Sequence, residues 1–562
     1  MWLFGSKNTV IGEHLKVKIN FLDALLCTND TFNEYKSTDF HLVVFGNPWP
    51  RFENQDFNKP TKGIDWLVTL IQTYGQTFIN YVKGDFVIFL EIEKVIYIFN
   101  DHFGISSIYY NSEKAILSDD YNFLQKISTT FDPDAIAQHI LYNRTLGEKT
   151  YDACVVNKGG ANAIEYSANS FNFKTYWNYK NLQVKSSKKY SLQNLIEFCD
   201  SNISFFYRWF KVDSTYVTLT GGKDSRSALS ILLKQGITPI GINYGNPASK
   251  DVIFAKRLAN KIGIECHNSN VDSNSKEYFS LIDELIKSNS MTSIHRAHRL
   301  AAFKAIGKEN DTFKVLFNGY LGGELLMGIY PDKLVFTENI LSSLNKVKLK
   351  SSTNFFEKEH VKIRINHQEK NDVKIENELD AIFRIGIKHH LQDIHLAKKY
   401  CNYVFSFFLD VDFVERIFQS QFNFTQVDNQ SLNLFKRYNL YRLNCELQYQ
   451  LAPILRTIPF AKKGNYTVND YKKGPLFWSV KKVFNHLKES KYPPNFVYST
   501  NYWNWLIEQI EYIKSDQNSI IHSYFNVSEA LQSLKELSKP SYSESEMLYY
   551  SRIWMFYKYL TQ

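Results

Sequence analysis

Hydrophobic residues in this chain fall into two regimes: closely spaced short apolar runs before about residue 180, and runs alternating with helical spacing after it. In the first regime, residues 39–48 (DFHLVVFGNP) predict a strand entering a turn. Gly63 to Tyr74 has helical spacing through Ile64, Leu67, Leu70 and Ile71. Gly84-Asp85 opens FVIFLEIEKVIYIFND, two strands broken near Glu93-Lys94, and DHFGISSIYYN runs from Asp101 to Asn111. Antiparallel strands set this close predict a layered sheet.

The second regime opens with a helix over Leu192 to Phe206, after the polar, basic stretch NLQVKSSKKYS. Tyr216 to Leu219 is a β-branched run fit for a buried strand; Thr220 to Ser225 (TGGKDS) is a tight turn, and Ala228, Leu229, Ile231 and Leu232 follow at helical spacing. Thr238 to Tyr244 predicts a second strand, Asp251 to Ile262 a helix, Ile264 to His267 a third strand, Ile294 to Ile306 a helix and Lys314 to Asn318 a fourth strand. Such alternation predicts a parallel sheet with its ligand at the strands' carboxyl ends. From about Ile375 the pattern is mainly helical, and Ser543 with Glu546 forms a capping box for the last helix.

Composition changes this picture little. The 562 residues suffice for two or three domains, and 44% hydrophobic with 22% charged residues describes a globular chain. The net charge of +9 is dispersed, which gives no reason to expect nucleic acid, and six cysteines with no CxxC pair argue against disulfides and structural zinc. No run reaches the roughly 18 apolar residues of a spanning helix, so a cytoplasmic protein without a membrane partner is expected.

The chemistry sits in the glycine turn. Two glycines let a ligand approach the backbone, and the following helix points its free amides and dipole at it, a setting for phosphate. The loop is not a Walker A sequence, which would need glycine at Val217 and a hydroxyl residue at Asp224. An acid in an anion-binding turn makes sense if Mg²⁺ bridges Asp224 and phosphate oxygens, so ATP with Mg²⁺ is the expected ligand pair. His295 and His298 offer a metal pair without a third ligand, or, with Arg296 and Arg299, a basic helix face holding phosphate or substrate carboxylate.

TGGKDS resembles the SGGxDS pyrophosphate loop of the asparagine synthetase, β-lactam synthetase and lasso-peptide cyclase group, with Thr220 in place of Ser. GYLGGELLMGIY resembles that group's second signature, LSGEGADELFGGY, on Asn318, Gly319, Glu324, Gly328 and Tyr330. More weakly, Asp101, Gly104, Tyr109-Tyr110 and Tyr176-Trp177 resemble its glutamine amidotransferase domain. The resemblance implies an N-terminal Ntn-type αββα amidotransferase-like domain over 1–180, a linker over 181–195, and a PP-loop parallel-sheet synthetase domain with a helical C-terminal part over 196–562. It also implies Leu219, Thr220, Gly221, Gly222, Asp224, Ser225, Asn243, Asn318 and Gly319 around ATP, with Asp224 and Glu324 toward the metal.

The departures from the family carry information. Its glutaminase needs a cysteine as first residue of the mature chain; Trp2 stands at position 2 and the nearest cysteine is Cys27, so no glutamine hydrolysis is expected. The signature's Asp falls on Gly323. Its Glu falls on Tyr320, where β-lactam synthetase has a catalytic Tyr; Tyr320 is either such a base, needing a carboxylate partner for which Glu357 and Glu359 are candidates, or a core aromatic. Lys472 and Lys473, with Lys462 and Lys463 behind them, are candidates for the family's charge-neutralising lysine. Together these imply an ATP- and Mg²⁺-dependent ligase or cyclase that adenylates a carboxylate and joins it to an amine on a small-molecule or peptide substrate. Asparagine synthesis from free ammonia and a degenerate nucleotide-binding scaffold are the alternatives.

Overall fold

The computed structural model describes the chain apart from residues 8–14, 53–62, 127–129, 133–134, 137, 140–144, 146, 183–189, 273–274, 289–291, 308–311, 328–378, 380, 423–437, 439–440, 462–464, 488–491, 494–499, 524–525, 537–543 and 562. It is an α/β protein with two antiparallel six-stranded sheets, a parallel five-stranded sheet and helices around them.

The first antiparallel sheet contains β1 (Trp2–Ser6), β2 (Val17–Asn20), β3 (Ala24–Thr28), β8 (Tyr109–Asn111), β9 (Ile116–Ser118) and β10 (Val155–Asn157), ordered β10-β8-β9-β1-β3-β2. The second contains β4 (Asn33–Lys36), β5 (Phe40–Pro50), β6 (Val82–Ile92), β7 (Val95–Asn100), β11 (Asn162–Ser167) and β12 (Ser170–Thr175), ordered β12-β11-β7-β6-β5-β4. The expected break at Glu93-Lys94 is a two-residue turn with both φ positive, 50° and 64°, the twist that closes an antiparallel hairpin.

Alternation along these strands builds a layered core. Trp2, Phe4 and Leu26 of one sheet face Val43, Phe45, Phe89 and Ile98 of the other. The opposite face of the second sheet, through Leu42, Val44, Ile88 and Leu90, is covered by the helix Asp65–Tyr74 with Trp66, Leu67 and Leu70. The outer face of the first sheet meets the helix Glu544–Thr561, where the hydroxyls of Tyr121 and Tyr559 both donate to the Asp152 carboxylate, at 2.7 and 2.8 Å. Ser543, half of the expected capping box, lies outside the described residues.

The parallel sheet has the order β15-β14-β13-β16-β17, from β13 (Ser214–Thr218), β14 (Ile240–Tyr244), β15 (Cys266–Ser269), β16 (Lys314–Phe317) and β17 (Tyr403–Phe405). Four of these were expected. The fifth, β17, is three buried residues in a region whose pattern predicts helix. The strand order reverses between β13 and β16, the switch point at whose carboxyl ends sheets of this kind form a ligand crevice. The helix Leu192–Phe210 begins inside the expected linker over 181–195, with Ser191 and Asn194 forming its capping box.

Between the antiparallel layers and the parallel sheet runs a seam of buried charge. The Lys83 ammonium meets Asp410 Oδ2 at 2.9 Å, Asp412 Oδ2 at 2.7 Å and Asn202 Oδ1 at 3.0 Å, three partners for three protons. Arg51 donates from Nε to Asp412 and from a terminal nitrogen to Glu415, at 2.7 and 2.6 Å. Lys398 pairs with buried Asp85 at 2.9 Å.

Candidate functional site

The crevice is built from two loops that touch. After β13 the chain turns through Thr220 to Lys223 into the helix Asp224–Lys234, whose first residue is Asp224. After β16 it turns through Asn318 and Gly319. A Cβ on Gly319 would lie 2.6 Å from the Asp224 carbonyl carbon and 2.7 Å from the Ser225 amide nitrogen. The two stretches singled out in sequence therefore pack backbone to backbone, and only glycine permits it.

Helix Asp224–Lys234 has no side-chain cap on its N-terminus. Thr220 Oγ1 accepts instead from the Gly222 amide and bonds to the Ser225 hydroxyl, both at 3.1 Å, which curls the loop on itself. An eleven-residue helix thus presents free amides and its positive dipole end to the switch-point crevice. Asn318 adds a second observation: its Oδ1 accepts from the Tyr320 amide at 2.9 Å, while its Nδ2 is buried with no hydrogen-bond partner. Such an orphan donor is costly unless a ligand acceptor completes it.

The loop is braced by residues that its sequence does not announce. The Ala461 amide donates to the Gly221 carbonyl at 2.8 Å, and a Cβ on Gly221 would collide with Ala461. Fully buried Arg226 donates to the carbonyls of Ile458 and Pro459, and burial pulls its pKa down to about 9. Asn444 donates to Asp224 Oδ1 at 2.8 Å, and Gln448 to the Lys223 carbonyl at 3.2 Å, both from the helix Arg442–Leu451. Buried Lys223 lies over the Tyr441 ring, its Nζ 4.0 Å from Asp224 Oδ1.

Other expected residues fall around this centre with differing roles. Asn243, at the end of β14, donates its amide to the Leu219 carbonyl and so ties adjacent strands together. Glu324, on the short helix Gly322–Met327, meets His390 Nε2 at 3.1 Å; burial works against its charge, but His390 and Lys223 hold its carboxyl below the usual range. Tyr320 packs against the His390 ring at 5.3 Å. Burial and the nearby Asp393 charge push its phenol well above its ordinary pKa, so as it stands it stays protonated and is not poised to take a proton. Glu357, Glu359, Gly328, Tyr330, Lys462 and Lys463 lie outside the described residues.

Lys472 and Lys473 are not directed at the loop. Lys472 pairs with Glu446 at 2.8 Å, and Lys473 lies over the Phe477 ring. The expected basic helix face at 294–306 needs correction in another way. A 3₁₀ turn, Ile294–Arg296, precedes the helix Ala297–Lys304, and the cationic side chains turn inward. Arg296 and Arg299 converge on Asp393 Oδ2, Arg296 at 2.6 Å, while Arg299 stays 22% exposed beside the Tyr244 ring. One carboxylate for two guanidiniums leaves positive charge at the ends of β14 and β16. His295 bonds to Ser293, and no cluster of three metal-ligating side chains exists among the described residues.

Comparison with protein-family models and with curated proteins finds no match. The functional reading therefore rests on the crevice. In the antiparallel layers, Trp2 is a core residue whose amide donates to Asp119 at 2.8 Å. Cys27 is buried in β3 and burial pushes its thiol up, away from nucleophilic thiolate.

Proposed function

We propose that the chain is an ATP-dependent ligase that activates a carboxylate as its acyl-adenylate, releases pyrophosphate, and passes the acyl group to an amine without hydrolysing glutamine. In this reading the antiparallel layers are an amidotransferase-like Ntn fold retained as support, and the parallel sheet is a PP-loop synthetase fold. The observation that carries it is the uncapped helix N-terminus at the sheet's switch point, closed against Gly319 and accompanied by the orphan Asn318 amide.

The loop amides would hold the phosphates while a substrate carboxylate oxygen attacks the α-phosphorus and the bond to the β-phosphate oxygen breaks. Asn318 Nδ2 would donate to the nucleotide. The amine then attacks the acyl carbon, AMP leaves, and the nitrogen's proton departs to solvent or a nearby base. Asp224, with Glu324 beside the crevice, fits a magnesium ion held largely by nucleotide oxygens and water, as that ion prefers. When bound, the ion would offset negative charge on the leaving pyrophosphate. Arg299, the exposed member of its pair, supplies positive charge for a substrate anion.

Equilibrium titration with ATP tests the reading. Saturable binding strengthened by Mg²⁺ and weakened about tenfold by Asn318→Leu is expected, one lost hydrogen bond to a charged or polar ligand being worth about that much. Failure of ATP to bind at all contradicts it. Binding without any pyrophosphate release would favour the scaffold alternative, to which Gly323 in the acid's place lends weight.

A further inference from the structure

The helix Pro475–Leu487 follows Lys472 and Lys473 and packs inward through Trp478, which joins Cys445, Phe460, Tyr466 and Tyr471 in a small core beside the nucleotide loop. Its other side is unusual. Leu476 and Val480 are each 69% exposed, Val483 61%, Phe484 55% and Phe477 42%. At 3.6 residues per turn these five fall within an arc of about 120°, one continuous apolar stripe facing outward. Exposed large hydrophobics outside this helix are scattered among the described residues. A stripe of this kind on an otherwise polar surface marks an interaction site.

Charge decides between possible occupants. In sequence, residues 470–491 carry six lysines, at 472, 473, 481, 482, 488 and 491, against two acids, Asp470 and Glu489, and Glu446 pairs with Lys472. Lys473 lies along Phe477, at the edge of the stripe. Lys481, on the helix's flank, reaches Asp470 at 2.6 Å yet remains 36% exposed. An outward apolar face edged by Lys473 and Lys481, in a stretch of net positive sequence charge, complements a surface that is apolar beneath and anionic at its rim, which is the boundary of an anionic lipid bilayer. We infer that this helix docks the protein on anionic membrane lipid, its apolar stripe in the acyl boundary and Lys473 and Lys481 toward the headgroups. No described helix is long and apolar enough to span a membrane, so the association is peripheral. It departs from the expectation of no membrane partner and stands independently of the ligase reading.

The test is cosedimentation of the full chain with vesicles of phosphatidylcholine alone and of phosphatidylcholine with about 30% phosphatidylglycerol. At least tenfold stronger binding to the anionic vesicles is expected, weakening as salt is raised. The double substitution Val480→Asp and Val483→Asp, at exposed positions, should reduce binding about tenfold or more with thermal stability unchanged. Equal binding by the double variant, or no binding to either vesicle, overturns the inference. So does a vesicle-independent dimer at micromolar concentration that the same substitutions dissolve, since the stripe would then be covered by a second copy of the chain.

Discussion

The interlayer seam and the glycine-loop crevice both concentrate charged and polar groups, yet they are organised in opposite ways. In the seam every proton of the Lys83 ammonium has an acceptor, and Asp412 is shared between Lys83, Arg51 and the Phe52 amide. In the crevice the helix N-terminus is uncapped, Asn318 Nδ2 lacks a partner, and Arg296 and Arg299 share one carboxylate. Compensated charge fixes one region of the chain to another. Uncompensated polarity held by a rigid frame is what a ligand completes.

Unbalancing the seam has the largest expected effect. Asp412→Ala leaves Lys83 and Arg51 buried without their shared carboxylate and is expected to cost about 3–5 kcal/mol. Chemical denaturation followed by tryptophan fluorescence should show this as an earlier first transition; an unshifted transition would mean that the seam contributes nothing to stability.

Next in size is a pH effect from the same layers. Burial pushes the Asp101 carboxyl up to about 7, although the amides of Phe103, Ile105 and Ser106 donate to it. With the folded pKa raised above the unfolded value near 4, the folded state binds the extra proton between pH 4 and 7. This contribution to stability is full below about pH 4 and is lost as pH rises toward 7, by up to about 1.4 kcal/mol per pH unit. Asp101→Asn should flatten that slope in melting curves taken across the window.

In the crevice, Gly319→Ala is expected to weaken ATP binding about 100-fold, roughly 2.7 kcal/mol, because the new methyl meets the unyielding backbone of Asp224 and Ser225. Calorimetric titration would measure it, and unchanged affinity would separate this contact from nucleotide binding. The smallest effect belongs to Tyr320→Phe. A phenol held well above its ordinary pKa contributes little as a base, so turnover should fall less than tenfold, about 1 kcal/mol. A loss of a thousandfold would show that substrate binding rebuilds its surroundings.

What the sequence showed of this protein is what is local. The β13 strand, its glycine turn and the helix after it are contiguous, and β-branched residues, paired glycines and helical spacing sufficed to place them. The hairpin at Glu93-Lys94 was legible for the same reason. β17 was not, because three residues are too few to show a period and its stability comes from pairing with β16. Nor was the role of Asn444, 220 residues from the Asp224 carboxylate it holds. Arg296 and Arg299 showed their charge but not its direction, since the acid that draws them inward, Asp393, is almost a hundred residues away.

Whether the crevice makes acyl-adenylate is decided by pyrophosphate release from ATP in the presence of candidate carboxylates and amines, comparing the intact chain with Asp224→Asn. An acyl-adenylate-forming crevice gives release that depends on the carboxylate and falls at least 100-fold in the variant, whose fold should persist because Asp224 is partly exposed. Release that is the same in both proteins, or absent with every substrate and with cell extract, would contradict it.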